Sequence, residues 1–375
     1  MKILIDAAAA YFYRNTGIGA YGTELLAALN EMDHGFRIDV FTGEDVLPLR
    51  AAVTLPGKTD RRFWERAAET RGDIGGYDLC HNIQNGIGLR RTGARLIVTL
   101  HDMIPLVMPE FCGSPYRELF RAQSVPAAET ADAVITVSRQ SKRDILRFSA
   151  VREENIHVIY EGPKRRCQKG AKEEAAAFLR RRYGITEPFL LCTGGFNERK
   201  NAAGIVRACA AVRRRLPTCS LVFTGGDSPR RRRVVSLAKR LFVDDMLRFP
   251  GDVPGEELPF FYRCCAALVY PSFYEGFGLP PLEAAACGAP SVLSRRGALP
   301  EIMGAAAVYA DPNDAADIGE AMLRLVADRQ FREETAERAF RRSAAFSFAD
   351  TAAKTAALYE NICRRRSVSA PWSIK

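Results

Sequence analysis

From Lys2 to Tyr309 the chain repeats one pattern: a short apolar run, a turn, then a longer stretch with apolar positions three and four apart. The runs are Lys2–Asp6, Arg37–Phe41, Leu96–Leu100, Ala133–Val137 and Ile156–Tyr160, then Pro188–Thr193, Ser220–Thr224, Ala266–Tyr270, Pro290–Leu293 and Ala306–Tyr309. Between them lie helical stretches such as Ile18–Asn30, Ser138–Phe148, Lys172–Tyr183, Asn201–Leu216 and Asp314–Ala327. Strands separated by helices join in parallel through crossovers and are covered on both faces, so the pattern predicts an α/β fold. The series breaks at 162–170, where Gly-Pro precedes Lys164, Arg165 and Arg166. We therefore expect two Rossmann-like domains, 1–163 and 164–347, facing each other across a cleft. The last helical stretch, Phe348–Arg366, follows the second series and is expected to cross back, so that 348–375 packs on the first domain.

Composition narrows the function classes. The chain has 375 residues, 47% apolar and 26% charged, which is ordinary for a folded protein and poor for a disordered one. No apolar run approaches the roughly 18 residues of a membrane span. Asp6 interrupts the apolar start, which reads as a buried strand rather than a leader. The ten cysteines show no C-x-x-C spacing. Reduced thiols in a cytoplasmic protein are the expectation, and a zinc site is not. The net charge of +10 is uneven: residues 1–163 carry 19 basic against 21 acidic side chains, so the excess lies in 164–375. The arginine runs there have little aromatic interleaving, so they read as solvated helix surface and not as a nucleic-acid face.

Ligands of open parallel sheets bind beyond the carboxyl ends of strands, beside helix N-termini. Four segments stand there. Thr16-Gly17-Ile18-Gly19 opens a helix, and its glycines would let amides approach an anion, though it lacks the dinucleotide spacing. His101-Asp102 ends a strand, where the imidazole either meets a substrate hydroxyl or is satisfied by Asp102 or backbone. His81, after Tyr77–Cys80, is a weaker candidate for the same cleft. Gly194-Gly195 leads through Arg199-Lys200-Asn201 into a helix, a glycine turn with two cations that suits a diphosphate. Glu275-Gly276-Phe277-Gly278-Leu279 leads to Glu283, so two carboxylates flank a glycine loop and a helix start. Loop amides there suit phosphate and the carboxylates suit hydroxyl donors.

These residues, in this order, resemble the retaining glycosyltransferases of family 4. Glu275 and Glu283 fit the E-x7-E signature of that family. Ala286-Cys287-Gly288-Ala289-Pro290, Leu299-Pro300-Glu301 and Phe346-Ser347-Phe348 fit the segments that follow. The resemblance covers nearly the whole chain and implies the GT-B fold. It implies that Glu275 bonds the donor sugar and Glu283 the ribose. Arg199 and Lys200 would neutralise the leaving diphosphate, helped by amides of Gly276 to Leu279. His101 would touch the sugar, and Gly17 to Gly19 would approach the phosphates from the first domain. Many relatives carry Arg where this chain has Ala8 and Ala20, and Asn where it has Glu161.

The implied reaction moves a hexose-type sugar from a nucleotide sugar to a glycan or lipid-linked acceptor, with retention of configuration. No two aspartates stand two residues apart, so no D-x-D metal motif is present, and neither a metal nor another cofactor is expected. A nucleotide-sugar epimerase or hydrolase of the same architecture, and a non-catalytic nucleotide-sugar-binding protein, are the alternatives. The family resemblance also leaves room for peripheral association with the inner membrane face. Arg61, Arg62, Phe63, Trp64 and Arg66 are a candidate contact, although the net −2 of the first half favours an ordinary amphipathic helix there.

Overall fold

The computed structural model describes residues 1–12, 16–55, 75–88, 93–215 and 218–364. The chain forms two units, Met1–Glu161 with Ser347–Lys375, and Gly162–Phe346. The division falls just before Gly162-Pro163 rather than after it. Glu161 is held within the first unit by the His101 ring, and Thr351 donates to the Tyr160 carbonyl at 2.7 Å. Lys164 instead reaches Glu283 in the second unit.

The first unit is a seven-stranded sheet in the order β3-β2-β1-β4-β5-β6-β7. Its strands are β1 Lys2–Asp6, β2 Arg37–Phe41, β3 Val46–Pro48, β4 Leu79–Asn82, β5 Arg95–Thr99, β6 Ala133–Thr136 and β7 Ile156–Val158. All pairs are parallel except β2 with β3. Thr16 caps the helix Gly17–Glu31 by accepting from the Gly19 amide. The helix Phe348–Arg364 packs on that helix with the stripe Phe348, Ala352, Ala356, Tyr359 and Ile362, residues about one helical turn apart. Each large side chain in that stripe contributes about 1.5–3 kcal/mol by burial, so this helix is integral to the first unit.

The second unit repeats the plan with six strands in the order β10-β9-β8-β11-β12-β13. They are β8 Phe189–Cys192, β9 Ser220–Thr224, β10 Leu247–Gly251, β11 Ala267–Tyr270, β12 Ser291–Leu293 and β13 Val308–Tyr309. Every pair is parallel, and β8 and β11 are buried along their length. Strand order reverses between β8 and β11, so the loops after them open at a topological switch point.

The sequence pattern missed β3 and β10. Both are edge strands carrying a proline, Pro48 and Pro250, which only an edge accommodates. It also placed the strand at Tyr77–Cys80 too early. Strand β4 continues to Asn82 and carries His81 into the core. Among the described residues no helix is long and apolar enough to cross a membrane.

Candidate active site

In the second unit, the two loops at the switch point bring Arg199, Lys200 and Glu275 together. After β8 the chain turns through Gly194 and Gly195, both at positive φ, into a single 3-10 turn Glu198–Lys200. A side chain at Gly194 would crowd the aliphatic part of Lys200, which passes directly over it. Asn197 caps this turn, and Asn201 caps the helix Ala202–Val212. The Asn201 side chain also donates to the carbonyl of Pro312 at 2.7 Å, tying the loop to a distant turn. The two cations are therefore positioned by caps at both ends of a short segment.

Glu275 lies on the loop after β11. Its Oε1 is 2.7 Å from Arg199 Nη1 and 2.8 Å from Lys200 Nζ. Arg199 also donates to the Tyr274 carbonyl, while its own carbonyl accepts from Phe273 N–H at 2.9 Å. Lys200 also donates to the Tyr270 hydroxyl and lies 4.4 Å from the centre of that ring. On the far side, Gly297 abuts the Glu275 backbone so closely that a Cβ would collide with it, and Ala298 N–H donates to the Glu275 carbonyl at 2.9 Å. Burial favours the neutral acid at Glu275, but Arg199 and then Lys200 outweigh it and hold its pKa at about 2. At neutral pH the cluster is two cations sharing one carboxylate, with a net charge of +1.

Glu283 stands in the helix Leu279–Ala286, which starts at Gly278 with φ +107°. Pro280 and Pro281 have no N–H, so amide donors at this helix end come from Gly276 to Leu279. Glu283 is buried, with Oε2 accepting from the Tyr262 hydroxyl at 3.2 Å. Lys164 Nζ stands 3.1 Å from Oε1, an ion pair, and Oε1 has no further hydrogen-bond partner. A carboxylate oxygen held by a single cation keeps a lone pair that can accept from a ligand hydroxyl. The sequence reading missed Lys164, Tyr262 and Tyr270. Lys164 read as the start of an arginine run, and only the fold brings it to Glu283.

The remaining site candidates lie in the first unit. His101 is buried, with Nε2 at 3.1 Å from the Ile83 carbonyl and Nδ1 at 3.4 Å from Glu161 Oε1. Its ring meets Tyr21 edge-on at 4.7 Å. Asp102 does not satisfy the imidazole, since its carboxylate accepts from Ile104 N–H. The loop glycines stand in the first turn of the helix Gly17–Glu31. The Gly19 amide is taken by Thr16, and Gly17 has open space where a Cβ would be. The glycine that packing requires is Gly22, where a Cβ would collide with Ala10 and Ile83.

His81 does not line a cleft. It is fully buried, with Nδ1 at 2.6 Å from the Tyr359 hydroxyl and Nε2 at 2.7 Å from Thr99 Oγ1. Burial, helped by His101, lowers its pKa to about 3, so it is a neutral core residue. Ala8 and Ala20 are buried, and Glu161 is the partner of His101. Arg61, Arg62, Phe63, Trp64 and Arg66 lie outside the described residues. Among the described residues no group of three or more His, Cys, Asp or Glu could hold a metal ion.

Comparison with known proteins identifies the family. Residues 15–163 match the family described as Glycosyltransferase Family 4, and residues 177–342 match Glycosyl transferases group 1. O-antigen chain mannosyltransferase B of Escherichia coli is 29% identical over 71% of this chain and 70% of its own length. The serotype-specific mannosyltransferase WbdA of Escherichia coli is 28% identical over 86% of this chain, which spans only 42% of WbdA. Among solved structures, Anabaena HepE in complex with UDP and glucose superposes with a TM-score of 0.74 at 17% identity, covering 96% of this chain and 100% of that one. At that identity the match speaks for the fold, which is GT-B. The two family matches, separated by residues 164–176, together take in most of the chain, and the second holds both switch-point loops, so the chain belongs to the group 1 glycosyltransferases, with a family 4 first domain.

Proposed function

We propose that the chain transfers a hexose from a nucleotide-sugar donor to a hydroxyl of a glycan or lipid-linked glycan, retaining anomeric configuration and using no metal. One observation carries the reading: Arg199 and Lys200 converge on a single carboxylate oxygen at the switch point, beside the glycine loop that opens the helix of Glu283. Two fixed cations in a largely buried setting suit a departing diphosphate, whose charge grows as the glycosidic bond breaks. In that role they supply the charge a divalent ion supplies elsewhere. Glu275, freed from the cations by the incoming phosphates, would then accept from sugar hydroxyls. Oε1 of Glu283, paired with Lys164, would accept from a ribose hydroxyl. Relatives named mannosyltransferases, and a fold neighbour crystallised with UDP and glucose, support a hexose and a nucleoside diphosphate. Family membership supports retention.

The test is incubation with UDP-, GDP-, ADP- and TDP-hexoses, with and without an oligosaccharide acceptor, followed by mass spectrometry. The matching nucleoside diphosphate at 100 times its Kd stabilises the protein by about 2.7 kcal/mol, which first identifies the base by thermal shift. A new glycosidic product only when acceptor is present supports transfer. An isomerised or hydrolysed sugar formed equally fast from donor alone would show an epimerase or hydrolase instead.

A further inference from the structure

We infer that Phe242, with the cations around it, is a docking surface for an anionic lipid bilayer. Phe242 is 80% exposed. The other exposed large apolar residues among those described, Met1, Val46 and Leu146, reach only 36–39%. Its backbone is at φ +55°, a conformation unfavourable for a bulky side chain and free for glycine. The position therefore carries two costs, steric and hydrophobic, that a glycine would remove together.

The backbone there is pinned rather than loose. Phe242 N–H donates to the Lys239 carbonyl at 3.1 Å, and its own carbonyl accepts from Arg213. Arg213 in turn grips Asp245 through two bonds of 2.6 and 2.8 Å. What this frame presents to solvent is the ring.

The surroundings carry the complementary charge. The helix Pro229–Arg240 buries Val234 and Ala238 and exposes Arg232, Ser236, Lys239 and Arg240 on the other side. Residues 227–248 hold seven basic side chains against three acidic ones. Two of those acids are engaged, Asp227 by Arg232 and Asp245 by Arg213, Asp244 is the third, and of the cations Arg233 is paired with Glu198 from outside the stretch. Lys239 and Arg240, three and two residues before Phe242 and both exposed, form no ion pair among the described residues.

A single protruding ring amid diffuse cations offers little shape for a protein partner to match. It fits a bilayer surface, where the ring enters at headgroup depth and the cations meet anionic lipid without shape complementarity. This surface does not depend on the proposed sugar transfer, since lipid binding is measured without turnover.

The experiment is co-sedimentation of the full chain with phosphatidylcholine vesicles, with and without phosphatidylglycerol. Wild-type protein is expected to bind only the anionic vesicles and to release them at high salt. Phe242→Gly should weaken this binding about tenfold, with an equal or higher Tm because the strained backbone is relieved. Lys239→Glu with Arg240→Glu should abolish it. Wild-type protein that ignores anionic vesicles, or that binds soluble polyglutamate as tightly, overturns the inference. So does Phe242→Gly protein that sediments like wild type, which would place any lipid contact elsewhere.

Discussion

Replacing Glu275 by Gln removes one charge from a cluster of three while nearly preserving shape. Side-chain exposures of 9% for Glu275, 15% for Arg199 and 14% for Lys200 leave little water to take over as counter-charge. The folded pKa of about 2, against an ordinary 4.5, corresponds to about 3 kcal/mol of stabilisation at neutral pH. Removing one partner of a buried ion pair costs about 3–5 kcal/mol, which is consistent. For a unit of this size the Tm should fall by about 6–12 °C. The sign of the pH dependence follows from the depressed pKa. The stabilisation is complete above about pH 4.5 and is lost as pH falls toward 2, so the gap between wild type and variant should narrow across that window. The same charge balance governs ligand binding. At the proposed site a nucleoside diphosphate would have to displace Glu275 from both cations, whereas in Glu275→Gln it would meet them unopposed. Calorimetric titration should therefore show free nucleoside diphosphate binding the variant at least as tightly, while sugar transfer collapses. Unchanged Tm at pH 7, or clearly weaker nucleotide binding, would refute the reasoning.

The other residues separate by readout. Lys200→Ala should lower kcat more than it raises donor KM, by about 2–4 kcal/mol in transition-state stabilisation, in steady-state kinetics. Normal kcat would remove Lys200 from the leaving-group site. Glu283→Gln should weaken nucleotide and donor alike, raising KM more than it lowers kcat, because ribose hydroxyls are unchanged in the reaction. Lys164→Met should move nucleotide affinity by calorimetry but not the response to acceptor concentration, since it acts through Glu283. His81, with a pKa lowered to about 3 from 6.5, takes no proton in the folded state above that value, so stability falls as pH drops from about 6.5. Replacing it with Gln should flatten the Tm–pH curve there and leave nucleotide affinity unchanged.

The two switch-point loops were legible in the sequence because each is a contiguous string after an apolar strand. Gly194 to Asn201 and Glu275 to Glu283 carry their spacing locally, and parallel topology then sets them side by side. Partners supplied across the sheet were not legible. Lys164 meets Glu283, Glu161 meets His101, and Gly297 supports Glu275 only through tertiary packing, and no local spacing encodes such pairs. His81 failed for a related reason. Its strand extends past Cys80, and the residue that neutralises its polarity, Tyr359, comes from the last helix. At Gly17 and Gly19 the sequence showed the glycines but not that the Thr16 cap takes the Gly19 amide. Edge strands β3 and β10 were hidden by prolines that would break a central strand.

These residues are proposed to hold a nucleotide sugar for retaining transfer without a metal. NMR of the product formed in excess EDTA tests this most directly, because one spectrum reports transfer, metal dependence and the configuration of the new anomeric centre. A glycosidic product with the anomeric configuration of the donor is expected. An inverted centre, or product that forms only when Mg²⁺ or Mn²⁺ is restored, would contradict the proposal.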